Sequence, residues 1–133
     1  MQRHPTLHRL SRDHHSGLVL ARRARQAAQG DRHQRSAAWA SVMDRFDAEL
    51  EPHFQAEEAD LLPAMRRAGE TALVERTLQE HAALRALLGE GRSENLEPFA
   101  DLLTQHIRFE ERELFERAQQ VLAPAILDGL TGE

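Results

Sequence analysis

The sequence contains no cysteine, no lysine and no tyrosine among its 133 residues, and it has only seven glycines and five prolines. Without cysteine, the chain cannot form disulfides or thiolate metal sites and has no cysteine nucleophile. No apolar run approaches the roughly 18 residues that a membrane-spanning helix requires. We therefore expect one globular domain that covers residues 1–133.

The net charge and the composition of the N-terminal region argue against two further classes of protein, those that bind nucleic acid and those that are secreted. The formal net charge is −5, and all 17 basic residues are arginine. An acidic chain without a concentrated basic face is unsuited to the phosphate backbone, so we expect no nucleic-acid partner. The first 30 residues are interrupted by arginine and histidine and hold no continuous apolar segment of the kind found in secretory signals. This predicts a cytoplasmic location.

Apolar residues recur at helical spacing along nearly the whole chain, and no long stretch alternates with the period of a strand. We predict four helices at about residues 7–29, 36–67, 71–88 and 95–121, with Thr6 as the first N-cap and one further turn near residues 124–130. Short loops force neighbouring helices to be antiparallel. The predicted fold class is therefore all-α, an up-down-up-down antiparallel four-helix bundle.

Eight histidines stand out in a chain with one tryptophan and five phenylalanines. Each predicted helix carries one histidine on its otherwise apolar face, and two helices add a glutamate at position i+4. These candidates are His14 in the first helix, His53 and Glu57 in the second, His81 in the third, and His106 and Glu110 in the fourth.

The first-helix position has an alternative. His14 lies on the apolar row that contains Leu7, Leu10 and Ala21, whereas His15 points about 100° away around the helix. We favour His14 and keep His15 as the alternative.

A repeat relates the second and fourth helices. The pattern HxxxEExxL occurs from His53 and again from His106, 53 residues later, so the chain resembles two matching helix pairs. The glutamates that follow the candidate donors, Glu58 and Glu111, are expected to face away as surface carboxylates. Pro52 is expected to kink the helix just before His53 or to end one helical segment.

The donor set predicts a metal centre. Residues four apart share one helix face, so each His/Glu pair can converge on one ion. Buried carboxylates need a compensating partner, and imidazole with carboxylate suits iron, manganese or zinc. Four histidines and two glutamates exceed one tetrahedral site. If both glutamates bridge, the six side chains together supply about eight of the roughly twelve bonds of two octahedral ions. This leaves positions for an oxide or hydroxide bridge and a small ligand. A buried His–Glu hydrogen-bond network is the alternative.

These motifs resemble the hemerythrin-like (HHE cation-binding) domain family over about residues 6 to 120: a first-helix histidine, HxxxEExxLLP, EH at residues 80–81, and HxxxEExxLF. The resemblance implies a four-helix bundle with a non-heme di-iron centre, in which Glu57 and Glu110 bridge. By motif match, its ligands would be His14, His53, Glu57, His81, His106 and Glu110.

The resemblance is closer to some members of the family than to others. Oxygen-carrying hemerythrins have HxxxH in the third helix and HxxxxD in the fourth, whereas Thr77 and Arg85 flank His81 here and the fourth helix has HxxxE. The donor set is more similar to bacterial members linked to iron–sulfur repair or nitric oxide response, and to the iron-sensing domain of a ubiquitin ligase subunit. The cysteine-containing segment of the repair proteins is absent.

We accordingly predict a protein with two iron ions that binds or senses O₂, nitric oxide, peroxide or iron itself, as a monomer or homodimer. Manganese or zinc are alternative metals. A di-iron oxidase or peroxidase and an iron-handling stress-response protein are alternative functions, although the absence of tyrosine disfavours radical-generating chemistry. No nucleotide motif or Ser-His-Asp arrangement supports another enzyme class, and no membrane partner is expected.

Overall fold

The first helix begins earlier than the sequence suggested. In the computed structural model, which describes residues 3–130, α1 spans Pro5–Ala27. His4 is the N-cap, because its Nδ1 accepts a hydrogen bond from the Thr6 amide at 3.1 Å. Proline is favoured at the first helical position, since its missing N–H would be unpaired there. The expectation that Thr6 caps the helix was therefore wrong.

The second helix, α2, also begins earlier than predicted. Asp31 caps it through a reciprocal capping box with Gln34, so the helix starts at Arg32 rather than near Ser36. It continues to Arg67 as three α-helical segments joined by two π-helical turns. The α-helical segments are Arg32–Arg45, Glu51–Ala56 and Leu62–Arg67, and the π turns are Phe46–Leu50 and Glu57–Leu61. Pro52 lies in the first turn of the segment after the first π turn, which accommodates a residue without an N–H.

Three further helices complete the chain. The third, α3, spans Thr71–Glu90 and ends at Gly91, whose φ of 65° is the left-handed conformation common at helix ends. A short 3-10 turn, Ser93–Asn95, leads into α4, which comprises Leu96–Phe109, the π turn Glu110–Leu114 and Phe115–Val121. The last helix, α5, spans Pro124–Gly129 and buries Leu127.

Two hydrophobic clusters form the core. One cluster contains Leu20, Trp39 and Phe99, and the other contains Leu7 and Met65. Six of the nine buried polar side chains among residues 3–130 are the predicted metal donors. Along α1, α2 and α4, apolar residues of both clusters come before or after these donors in the sequence. The helices thus bury a compact set of polar groups within an apolar core.

Adjacent apolar positions on the helices differ in burial. Gly17 is buried while Leu18 is exposed, and Val42 is buried while Met43 is exposed. On α3 and α4, Leu78, Leu102 and Val121 are only partly buried; Thr77, Leu103 and Ala118 take the fully buried positions. Helical spacing allows steps of three or four residues, and the neighbouring helices determine which step faces the core.

The helices pack as an all-α bundle, as predicted. α1 packs most extensively against the first segment of α4 and also contacts α2, while α3 contacts both α2 and α4. The up-down-up-down order of the helices stays a prediction. Within residues 3–130, no helix is long and apolar enough to cross a membrane.

Candidate metal centre

The bundle brings the six predicted donor side chains together in its interior. Each is at most 4% exposed. They come from all four long helices: His14 from α1, His53 and Glu57 from α2, His81 from α3, and His106 and Glu110 from α4. His15, the alternative to His14, is instead exposed and lines a surface groove between α1 and α2.

The donor atoms form two groups that share both glutamates. His14 and His53 meet Glu57 and Glu110 in one group, and His81 and His106 meet the same two glutamates in the other. Within each group, one ligand atom from every residue lies within 4.8 Å of the others. The arrangement is therefore two adjacent groups of four potential metal ligands, with a common pair of carboxylates.

Glu110 faces both histidine pairs with different oxygens. Its Oε1 is 2.8 Å from Nε2 of His14 and 3.7 Å from Nε2 of His53. Its Oε2 is 3.0 Å from Nε2 of His106 and 3.7 Å from Nε2 of His81. One oxygen of this carboxylate thus serves each group, as a bridging ligand requires.

Glu57 spans the two groups in the same way. Its Oε2 lies 3.2 Å from Nε2 of His53, and its Oε1 lies 3.0 Å from Nε2 of His81. All four histidines therefore point Nε2 toward the two shared carboxylates.

Several of these buried atoms have no hydrogen-bond partner. Within the described chain they include Nε2 of three histidines, both oxygens of Glu57 and Oε2 of Glu110. Buried polar atoms without partners are rare and costly, so a group of them aimed at one place calls for a ligand. Imidazole nitrogens and carboxylate oxygens are suitable donors for iron, manganese or zinc. A hydrogen-bond network alone would leave these atoms unpaired, so the residues present fit metal binding better than such a network.

A second set of carboxylates holds the outer nitrogen of every donor histidine. On α1 and α2, Nδ1 of His14 is 2.6 Å from Glu111 Oε2, and Nδ1 of His53 is 2.9 Å from Asp13 Oδ2. Of these two carboxylates, Asp13 is the more exposed.

The same contact recurs at the other two histidines. Nδ1 of His81 is 2.6 Å from Glu58 Oε2, and Nδ1 of His106 is 2.6 Å from Glu80 Oε1. We call Asp13, Glu58, Glu80 and Glu111 the outer carboxylates.

The expectation that Glu58 and Glu111 face away as plain surface carboxylates was wrong. A residue that follows a donor lies about 100° around the helix, which in this bundle is the seam with the neighbouring helix. Asp13 was not singled out, and Glu80 was quoted only in the EH pair of the family resemblance, without a role of its own. Their sequence signal was the acidic residue directly before His14 and before His81.

Other side chains brace the outer carboxylates. Arg85 donates to Glu58 and also to Glu51, and its guanidinium lies over the ring of Phe54 at 5.6 Å. The ring of Phe54 in turn stacks on His81, with centroids 3.9 Å apart. The imidazole of His81 is therefore held on its edge by a carboxylate and on its face by an aromatic ring.

Two outer carboxylates on α3 and α4 have comparable support. Arg76 contacts Glu80 at 3.0 Å, while Ser11 donates to Glu111 at 2.7 Å and Arg3 lies 3.5 Å from Glu111. Partial burial raises the pKa of Glu58, Glu80 and Glu111, but these hydrogen bonds and those from the histidines outweigh it and lower the pKa of each carboxyl. The three groups are ionised at neutral pH.

The carboxylates also set the protonation of the histidines. Burial by itself lowers the pKa of His106, but the charge of the nearby Glu110 and the hydrogen bond with Glu80 raise that pKa to about 10. Burial likewise lowers the pKa of His81, but its close contacts with the carboxylates of Glu110 and Glu57 raise it to about 9. The other two donor histidines also have raised pKa values. Metal ions would have to displace protons from these imidazoles in order to bind.

The remaining histidines lie outside this cluster. His8 and His33 are exposed, and His4 caps α1 and contacts Asp128 at 2.9 Å.

The family comparison agrees with the site. The family model described as the hemerythrin HHE cation-binding domain matches residues 6–118, which contain all six donors and all four outer carboxylates. Comparisons with curated proteins and with solved structures find no significant match. A match over this much of the chain shows that the protein belongs to the hemerythrin HHE cation-binding domain family.

Proposed function

We propose that this protein holds two iron ions and uses them to bind or sense a small ligand, namely O₂, nitric oxide or peroxide, or iron itself. The observation that carries the proposal is the pair of four-donor groups that share Glu57 and Glu110. Two shared carboxylates with two histidines on each side form a symmetric donor set for two ions, which a single tetrahedral site would not need.

The histidines and the glutamates among the proposed ligands have different roles. The four histidines would bind through Nε2, since their Nδ1 atoms are engaged by the outer carboxylates. Glu57 and Glu110 would bridge and would offset part of the charge of the ions. When bound, a pair of iron ions supplies coordination positions for a small ligand and the capacity to change oxidation state. Manganese or zinc would suit the same donors.

The burial of the site supports a small ligand. Each donor is nearly inaccessible to solvent, and the aromatic rings of Phe54 and Phe115 lie within 3.9 Å and 5.4 Å of donor histidine rings, measured between centroids. A diatomic molecule or peroxide is compatible with such an enclosed setting. The cytoplasmic location and the choice between a monomer and a homodimer stay predictions from the sequence.

Metal loading tests the proposal. The purified chain would be loaded anaerobically with Fe(II), its metal content measured, and its optical spectrum followed on addition of air or nitric oxide. We expect two irons per chain. A reversible spectral change would support ligand binding, and irreversible oxidation would support sensing or an oxidase. Fewer than two metals after loading with Fe(II), Mn(II) or Zn(II) would contradict the metal pair.

Removing a bridge tests the roles of the glutamates. Glu57→Ala and Glu110→Ala should each abolish binding of the metal pair, because each removes a donor from both groups. Asp44→Ala, a change at an exposed carboxylate of α2, should retain two metals and serves as the control. Two metals per chain in either glutamate variant would refute the bridging role.

A further inference from the structure

We propose that the outer carboxylates form a closed ring of positioning residues that fixes the four imidazoles for metal binding and links the two halves of the centre. This inference rests on the proposed metal-binding function. It concerns residues other than the six proposed ligands, and it assigns them the role of fixing the orientation and the protonated nitrogen of each histidine.

The ring follows the order of the helices. Asp13 on α1 holds the histidine of α2, Glu58 on α2 holds that of α3, Glu80 on α3 holds that of α4, and Glu111 on α4 holds that of α1. Each contact therefore joins one helix to the next, and the fourth closes the ring. Unrelated surface ion pairs would not be expected to place a single carboxylate on the Nδ1 atom of each of the four histidines.

The ring determines which nitrogen of each histidine faces the centre. An ionised carboxylate can only accept a hydrogen bond, so each contacting Nδ1 carries a proton and donates it. When a metal ion displaces the other proton, the imidazole keeps its Nδ1–H and presents a lone pair on Nε2. A carboxylate partner on a metal-bound histidine also raises the basicity of the donor nitrogen, and its loss typically weakens metal binding by about 10–100-fold.

Two contacts act within a donor group and two act between groups. Asp13 neighbours His14 and holds His53, and these two histidines belong to the same group. Glu80 neighbours His81 and holds His106 in the other group.

The other two members of the ring, Glu58 and Glu111, instead cross from one group to the other. Glu58 follows the bridging Glu57 on α2 and holds His81, and Glu111 follows the bridging Glu110 on α4 and holds His14. Movement of either bridge is thereby transmitted to a histidine on the neighbouring helix. We infer that Glu58 and Glu111 couple the two metal positions, whereas Asp13 and Glu80 support one position each.

The test uses Zn(II), which is diamagnetic, as the probe. Two-dimensional long-range ¹H–¹⁵N NMR of the zinc-loaded protein would assign the protonated nitrogen of each donor histidine, and competition with a chelator would measure the affinity for zinc. We expect four histidines with protonated Nδ1. Glu58→Ala should weaken the binding of both ions by about 10–100-fold, whereas Glu80→Ala should weaken mainly one. Glu58→Gln should lose less, because its amide oxygen still accepts a hydrogen bond.

Glu51→Gln is the matched control. Glu51 binds the same arginine as Glu58, with Arg85 Nη2 at 2.7 Å, and Glu51 contacts none of the donor histidines. Its substitution removes the charge of one Arg85 partner but leaves the contact between Arg85 and Glu58, so zinc affinity and histidine protonation should not change. The Glu58→Ala variant should also be compared with the wild-type protein for thermal unfolding without metal, so that loss of folding is separated from loss of positioning.

The outcomes separate the two proposals. If the wild-type protein binds no pair of ions, the proposed function fails. If it binds two zinc ions but the folded Glu58→Ala and Glu111→Ala variants bind them with unchanged affinity, the positioning ring is refuted while the metal centre stands. Protonation of Nε2 in the zinc-loaded histidines would refute the ring directly.

Discussion

Gly17 illustrates how a single residue is constrained by its distance from the neighbouring helices. It lies three residues after His14 on α1 and is buried. A Cβ at this position would lie 2.9 Å from Cδ1 of Ile107 and 3.4 Å from Cδ2 of Leu50, so the space beside α1 is already filled. Ile107 follows the donor His106 on α4. Crowding at Gly17 would therefore displace a side chain that adjoins the candidate metal centre.

Gly17→Val should destabilise the protein. Extra methyl groups in a packed core typically cost about 1–3 kcal/mol, because neighbouring side chains must leave their preferred rotamers. Urea unfolding of the metal-free protein measures the change. Gly89→Val is the control: Gly89 is helical and exposed, and a Cβ there would meet no neighbour within 4 Å, so that variant should be neutral or slightly more stable. Equal effects at the two positions would contradict the crowding at Gly17.

At the scale of the helical elements, two of the three π turns in the described chain coincide with the sequence repeat. The turns Glu57–Leu61 and Glu110–Leu114 occupy equivalent positions in the two HxxxEExxL motifs, and each begins at a proposed bridging glutamate. Isolated π turns inside α-helices are often found at functional sites. The repeat in the sequence thus extends to the backbone conformation of α2 and α4. The motif itself did not predict a π turn.

The start of α2 provides a test of element stability. Asp31→Ala should lower the free energy of unfolding by about 1 kcal/mol, because it removes the N-cap acceptor from the amide of Gln34. Chemical denaturation measures the loss, and the metal content should stay unchanged because the cap is far along the helix from the donors. Asp47→Ala, an exposed carboxylate within the same helix, should change stability little. If Asp31→Ala has no larger effect than this control, the capping box does not stabilise the helix.

For the whole molecule, the centre couples stability to pH. The pKa values of His81 and His106, about 9 and about 10 in the folded protein, lie above the ordinary value of 6.5. A raised pKa means that the folded state binds the proton more tightly than the unfolded state. The resulting stabilisation is fully present below about pH 6.5 and is lost as the pH rises through about 9 to 10.

The metal-free protein should therefore become less stable between about pH 6.5 and pH 10. Thermal unfolding of chelator-treated protein across this range would measure the decline. Because metal competes with these protons, metal affinity should rise over the same interval. Saturating metal should raise the unfolding temperature, since binding to the folded state at 100 times the Kd contributes about 2.7 kcal/mol. A metal-free stability that is constant over this interval would contradict the raised pKa values.

Much of the fold could be anticipated from local patterns. Helical periodicity predicted the four long helices, and the position of each histidine on an apolar row predicted that the six donors would be buried. Helix starts were less predictable. Because of the His4 cap and the Asp31–Gln34 capping box, α1 and α2 begin earlier than predicted. Capping depends on local hydrogen bonds, which the pattern of apolar residues does not indicate.

The sequence by itself determined the candidate donors. Residue type, i+4 spacing and the doubled motif predict His14, His53, Glu57, His81, His106 and Glu110. Only the tertiary structure decided how these donors are supported. Asp13, Glu58, Glu80 and Glu111 each reach a histidine on another helix, and such contacts depend on which helices are neighbours and how they are rotated. A helical pattern shows which side of a helix faces the core, but the partner across each seam is settled by packing.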